Sequence, residues 1–121
     1  MSSIERFETG PRMSKIVRHG GLVYLCGQTA RGTAPGDVMR QTEETLARID
    51  GLLAQAGSDR TQLISVLIHL RSMQDFAAMN RVWEAWLPAG CAPARTTVEA
   101  ALASPELLVE MTVVAALAQR H

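Results

Sequence analysis

The chain has 121 residues, so one hydrophobic core and a single domain over 1–121 are expected. With 47% apolar and 20% charged residues it is excluded from the disordered and fibrous classes. Twelve basic and twelve acidic residues cancel, which removes the electrostatic term behind non-specific nucleic-acid binding, so no nucleic-acid partner is expected.

In chain order, Met1 to Gly10 is polar and charged where a signal peptide needs an apolar stretch. No uncharged apolar run reaches the roughly 18 residues that span a bilayer. A cytoplasmic protein with no membrane partner is therefore expected. Ser14 to Val17 and Leu22 to Cys26 read as two strands joined by a turn at Gly20-Gly21, and Thr29 to Asp37 as a loop. Val38, Thr42, Thr45, Leu46, Ile49, Leu52, Leu53 and Ala56 recur at helical spacing, between a start at Asp37 and a stop at Gly57.

Leu63 to Leu70 is a strand apolar on both sides, with Ile64, Val66, Ile68 and Leu70 on one face and Leu63 and Leu67 on the other. Ser72 and Asp75 resemble a capping box. It precedes a second helical stripe of Phe76, Met79, Trp83, Trp86 and Leu87, ended by Pro88 and Gly90. Strands over Arg95 to Leu102 and Leu107 to Leu117 complete a β-β-α-β-α-β-β order. Right-handed crossovers place both helices on one face of one α+β sheet. The other face, carrying Leu63 and Leu67, is then expected to close against further copies of the chain.

Few residues offer chemistry. Cys26 and Cys91 are far apart and read as ordinary cytosolic thiols. Lys15 is the one lysine beside eleven arginines and sits among charged and polar residues, which argues against Schiff-base chemistry. His19, His69 and His121 have no ligand spacing, so no metal is expected. The glycines between Gly21 and Gly36 match no phosphate-binding motif, and no organic cofactor is expected.

Pro93 fixes an extended entry into a strand that opens with Arg95. A guanidinium there suits either a bidentate grip on a carboxylate or an interfacial salt bridge. Glu110 is the only charge in an otherwise apolar strand. Burying a carboxylate is costly unless it is paired, so it is either functional, neutralised by an arginine such as Arg95, or turned to a rim. Asn80 borders the second helical stripe, where a polar contact within the helix packing is the simpler reading.

The segments Gly21 to Gln28, Gln41-Thr42, Asp75-Phe76 to Asn80, Pro93-Ala94-Arg95 and Val109-Glu110 together resemble the Rid family of reactive-intermediate deaminases, also called the YjgF or RidA family. The resemblance covers nearly the whole chain. It implies a chorismate-mutase-like α+β fold and a homotrimer with substrate clefts between subunits. It implies that Arg95 grips the carboxylate of a small 2-imino acid, that Glu110 activates water, and that Asn80 and main-chain groups near Gly27 and Thr97 line the cleft. The expected reaction is hydrolysis of an imine such as 2-iminobutanoate or 2-iminopropanoate to a 2-keto acid and ammonia. Two positions depart from the family archetype: Met13 stands where it has tyrosine and Thr97 where it has cysteine. The alternatives are a pathway-specific deaminase or aminoacrylate-processing relative with its pocket reshaped around Met13, a non-catalytic trimer binding a small carboxylate, and a ribonuclease, which the zero net charge disfavours.

Overall fold

A computed structural model describes residues 3–118; His121 lies outside the described residues. Two helices, α1 (Val38–Ala56) and α2 (Phe76–Trp86), pack on a sheet of six strands. The strands are β1 (Glu5–Thr9), β2 (Ser14–His19), β3 (Leu22–Leu25), β4 (Leu63–Leu70), β5 (Ala94–Glu99) and β6 (Val109–Ala116). Their spatial order is β1-β2-β3-β6-β4-β5, with β4 and β5 parallel and the other neighbours antiparallel. The chain thus has the expected α+β architecture with one strand more than the sequence reading assigns. That strand, β1, is an edge strand of sequence Glu-Arg-Phe-Glu-Thr in which only Phe7 reaches the core. Charged edge strands resist pairing with other chains, and for the same reason they lack the apolar alternation that betrays a strand.

Helix α1 begins where Asp37 accepts a hydrogen bond from the Arg40 amide at 3.1 Å. It ends at Gly57, whose φ of 87° is the left-handed conformation that suits glycine. Its stripe of Leu46, Ile49, Leu53 and Ala56 packs with Met79 and Trp83 of α2 and with Val66, Ile68, Leu70, Val109, Met111 and Val113 of the sheet. Gln41 is buried within this stripe. Its Nε2 donates to the carbonyls of Glu106 (2.7 Å) and Ala34 (3.2 Å), while its Oε1 accepts from the Leu108 amide at 2.8 Å. One side chain therefore ties the loop before α1 to the entry of β6.

Several local expectations are corrected. Ser72 accepts from the Gln74 amide and caps a short 3-10 turn, Met73–Asp75, and Asp75 makes no side-chain cap bond. There is no reciprocal box. The strand expected over Arg95 to Leu102 stops at Glu99, and β6 starts at Val109 rather than Leu107. Between them Arg71 holds the loop by donating to the carbonyls of Leu107 and Ser104, each at 2.7 Å. Along β4 the pairing with β6 slips between Leu63 and Ser65. This bulge turns Leu63 into the core and leaves Ile64 exposed, the reverse of simple alternation. Leu67 does stand on the uncovered face as expected, with Tyr24 and Val98. Among the described residues no helix is long and apolar enough to cross a membrane.

Candidate active site

Arg95 is the second residue of β5, and the parallel register sets it beside Val66 of β4, a core residue, so its side chain is directed to the helix-covered side. There it meets α2. Its Nη1 donates to Asn80 Oδ1 at 2.7 Å, and its guanidinium carbon lies 5.7 Å from the Phe76 ring centre and 5.6 Å from that of Trp83. Asn80, Phe76 and Trp83 are positioned by helical spacing on one side of α2, and the two rings hold the cation through their negative faces. The helical stripe predicts Phe76 in the core; it is instead 37% exposed, serving as a wall for Arg95. Neither aromatic stands out as a site residue in the sequence, where their spacing reads as core stripe. Among the described residues Arg95 has no carboxylate partner. Its fork is anchored by one bond to Asn80. Arg95 also borders an open cleft of about 370 Å³ with Ser65, Leu67 and Thr96. Thr97 shares the face of Arg95, paired with Ile68, and its Oγ1 is buried without a hydrogen-bond partner.

Glu110 is half-buried in β6 between Val109 and Met111, both core residues, so its side chain emerges on the uncovered face. It packs against Gly27. A side-chain carbon at Gly27 would overlap Glu110 Oε2, so any larger residue there would push the carboxylate aside. Gln28, the next residue, pairs with Met111 through two backbone hydrogen bonds of 2.8 and 3.0 Å, which fixes the Gly27 loop beside the carboxylate. His69 lies directly across the β4–β6 ladder from Glu110, and its Nδ1 is buried with no hydrogen-bond partner. A cavity of about 300 Å³ bordered by Gly27 also has Met13 and Cys26 in its wall.

The five expected site residues thus fall into two groups. Arg95, Asn80 and Thr97 are on the side covered by α2, at the edge strand. Gly27 and Glu110 are on the other side, with β4 between β5 and β6. The structural alternative in which Glu110 neutralises Arg95 within the chain is therefore overturned. A cavity of about 450 Å³ between α1 and α2 touches neither group. In its wall Arg60 pairs with Asp50 and donates to the Trp86 carbonyl at 2.8 Å, and Trp86 Nε1 donates to Asp50 at 3.0 Å.

Comparison with known proteins adds the lineage. The family described as Endoribonuclease L-PSP matches residues 4–117. A crystal structure titled as a member of the YjgF protein family, from Neisseria meningitidis, superposes with a TM-score of 0.92 at 42% identity, covering 98% of each chain. The chain belongs to the Rid (YjgF) family. Among other relatives of this Rid-family chain, the RutC family protein YoaB of Escherichia coli K12 is 40% identical over 114 residues, which are 94% of this chain and 98% of that one. An uncharacterized protein from Pseudomonas aeruginosa has a TM-score of 0.90 at 45% identity over 96% of this chain and 100% of that one. The two departures from the Rid archetype separate in space. Met13, 59% exposed, lies in the Gly27 cavity, whereas Thr97 lies with Arg95.

Proposed function

We propose that the protein hydrolyses small 2-imino acids in the cytoplasm, at sites each built from two copies of the chain. One copy supplies Arg95, Asn80 and Thr97, and its neighbour supplies Gly27 and Glu110. The observation that carries this reading is the state of Arg95: a guanidinium held by Asn80 and flanked by two rings, with no carboxylate partner among the described residues. Such a group is prepared for a carboxylate ligand. The exposed apolar residues of the uncovered face support association into a symmetric oligomer, a trimer in our reading.

In the reaction the substrate carboxylate lies on Arg95 and the imine carbon faces a water held by Glu110. Glu110 takes a proton as the water oxygen bonds to that carbon, and the C=N electron pair moves to nitrogen. That proton is delivered to nitrogen, giving a carbinolamine; Glu110 then carries the hydroxyl proton to nitrogen as the C–N bond breaks, so that ammonia leaves as the carbonyl forms. Imines of this kind hydrolyse unaided in water, so general acid-base help of about 10²- to 10⁴-fold suffices, with orientation by Arg95 adding to it. Gly27 keeps the water side of the carboxylate open by having no side chain.

The test is coupled turnover of 2-iminobutanoate and 2-iminopropanoate, read as accelerated ammonia release, with Arg95→Lys beside the parent. Lysine keeps the charge and loses the fork, so kcat/KM is expected to fall by about tenfold or more. Full activity in that variant would overturn the binding account. Ligand-induced thermal stabilisation by 2-keto acids without any turnover would favour a carboxylate-binding protein instead.

A further inference from the structure

Two cavities meet at the loop that follows Gly27. One, of about 300 Å³, is lined by Glu8, Met13, Lys15, Gly27 and Arg31; the other, of about 290 Å³, lies against α1 around Arg48 and Gln55. Lys15, Gln28 and Arg31 border both. The charged groups facing this space are Glu8, Lys15, Arg31 and Arg48, and three of the four are occupied. Lys15 lies 3.5 Å from Glu8, Gln55 donates to Glu8 at 2.9 Å, and Arg48 pairs with Glu44 at 3.2 Å. The bond from Gln55 and the charge of Lys15 hold Glu8 below the ordinary glutamate range, so it is ionised and already matched.

Arg31 is different. It is exposed and has no carboxylate partner among the described residues. Its backbone sits at φ 55°, a left-handed conformation unfavourable for a residue with a β-carbon. The turn is held in place by the Arg31 amide donating to Thr29 Oγ1 at 3.0 Å and by Thr33 donating to the Ala30 carbonyl through both its amide (3.1 Å) and its hydroxyl (2.7 Å). Strained backbone kept by its surroundings is characteristic of ligand-facing segments. Here it presents an unmatched cation beside the cavity that Gly27 borders.

We propose that the imino acid taken by this protein carries a second carboxylate, which Arg31 binds with Lys15 beside it. The proposal rests on the deaminase reading above: the α-carboxylate goes to Arg95 of one copy, the imine carbon to Glu110 and Gly27 of its neighbour, and the substrate side chain into the Gly27 cavity. The distal carboxylate of such a diacid runs to Arg31, four residues beyond Gly27 on the same loop and in the wall of the same cavity. The flexible thioether of Met13 adapts to its methylene portion. A purely apolar side chain would leave the Arg31 charge unmatched and gain nothing from it.

The experiment compares 2-iminoglutarate with 2-iminobutanoate, each generated in place by an amino-acid oxidase, on the parent protein, Arg31→Gln and Arg31→Lys. The expected result is a kcat/KM ratio favouring the diacid by about tenfold or more, abolished in Arg31→Gln and partly kept in Arg31→Lys. A parental ratio near one, or a ratio that Arg31→Gln leaves in place, overturns the proposal while the deaminase reading stands. If neither imine is turned over, the deaminase reading fails, and calorimetric binding of 2-oxoglutarate against 2-oxobutanoate then decides. A preference for the diacid that Arg31→Gln removes sustains the distal-carboxylate site, and equal binding overturns it.

Discussion

Gly27→Ala separates the fold from the proposed chemistry. An added methyl group would overlap Glu110 Oε2 and crowd Cδ at 3.1 Å, while Cγ at 3.4 Å lies at the edge of ordinary contact. Carbon and oxygen atoms pack at roughly 3.5 Å, so the carboxylate must retreat by about an ångström or more. The obstacle is the far end of a flexible side chain, half-exposed, and it can move without disturbing the core. The cost in stability is therefore expected to stay below about 1 kcal/mol, near the lower range for overpacking. Activity is another matter, because displacing a catalytic group by about 1 Å costs on the order of 10²-fold. Urea denaturation and imine turnover measured on the same preparation provide the check. A variant that unfolds early, or one that keeps parental kcat/KM, would refute the argument that Gly27 exists to seat the carboxylate.

Two further substitutions address the scaffold and the assembly. Gln41→Leu leaves the Leu108 amide without its acceptor and two carbonyls without their donor in a buried site. A loss of about 2–4 kcal/mol in urea denaturation is expected, and a loss under about 0.5 kcal/mol would show that water replaces the glutamine. Leu67→Arg places a charge on the uncovered sheet face, at a residue 37% exposed in the single chain. Light scattering is expected to show a folded species of lower mass than the parent, and an unchanged mass would mean that the copies associate elsewhere.

Much of this architecture is legible in the sequence, and the failures have physical causes. Both helices follow from apolar spacing, with Asp37 and Gly57 marking the ends of α1. β1 is missed because an edge strand rich in charge carries almost no apolar alternation. The outward turn of Ile64 depends on a bulge, and a bulge is a property of pairing, which a strand's own pattern does not contain. Gln41 looks like a polar helix start until Glu106, 65 residues further along the chain, is brought beside it. The candidate site shows the same boundary. Arg95 and Glu110 can each be singled out as a charge in unusual company, and the parity of Arg95 with Thr97 is readable. Which side of the sheet each occupies depends on β5 lying beside β4 and beyond β6, and no local pattern encodes strand order. The Phe76 and Trp83 walls stay hidden for a related reason: a ring over a guanidinium and a ring in a core have identical helical spacing.

If Arg95 of one copy works with Glu110 of another, two inactive variants should repair one another. Arg95→Ala and Glu110→Gln, each inactive alone, would be unfolded together, mixed in equal amounts and reassembled, with native mass spectrometry verifying mixed oligomers. Random assembly unites an intact Arg95 with an intact Glu110 at about one site in four for a closed symmetric oligomer. Imine turnover is therefore expected to recover to about a quarter of the parental rate per chain. Mixed oligomers that form and stay inactive would contradict a site shared between copies, and with it the division of labour proposed for these residues.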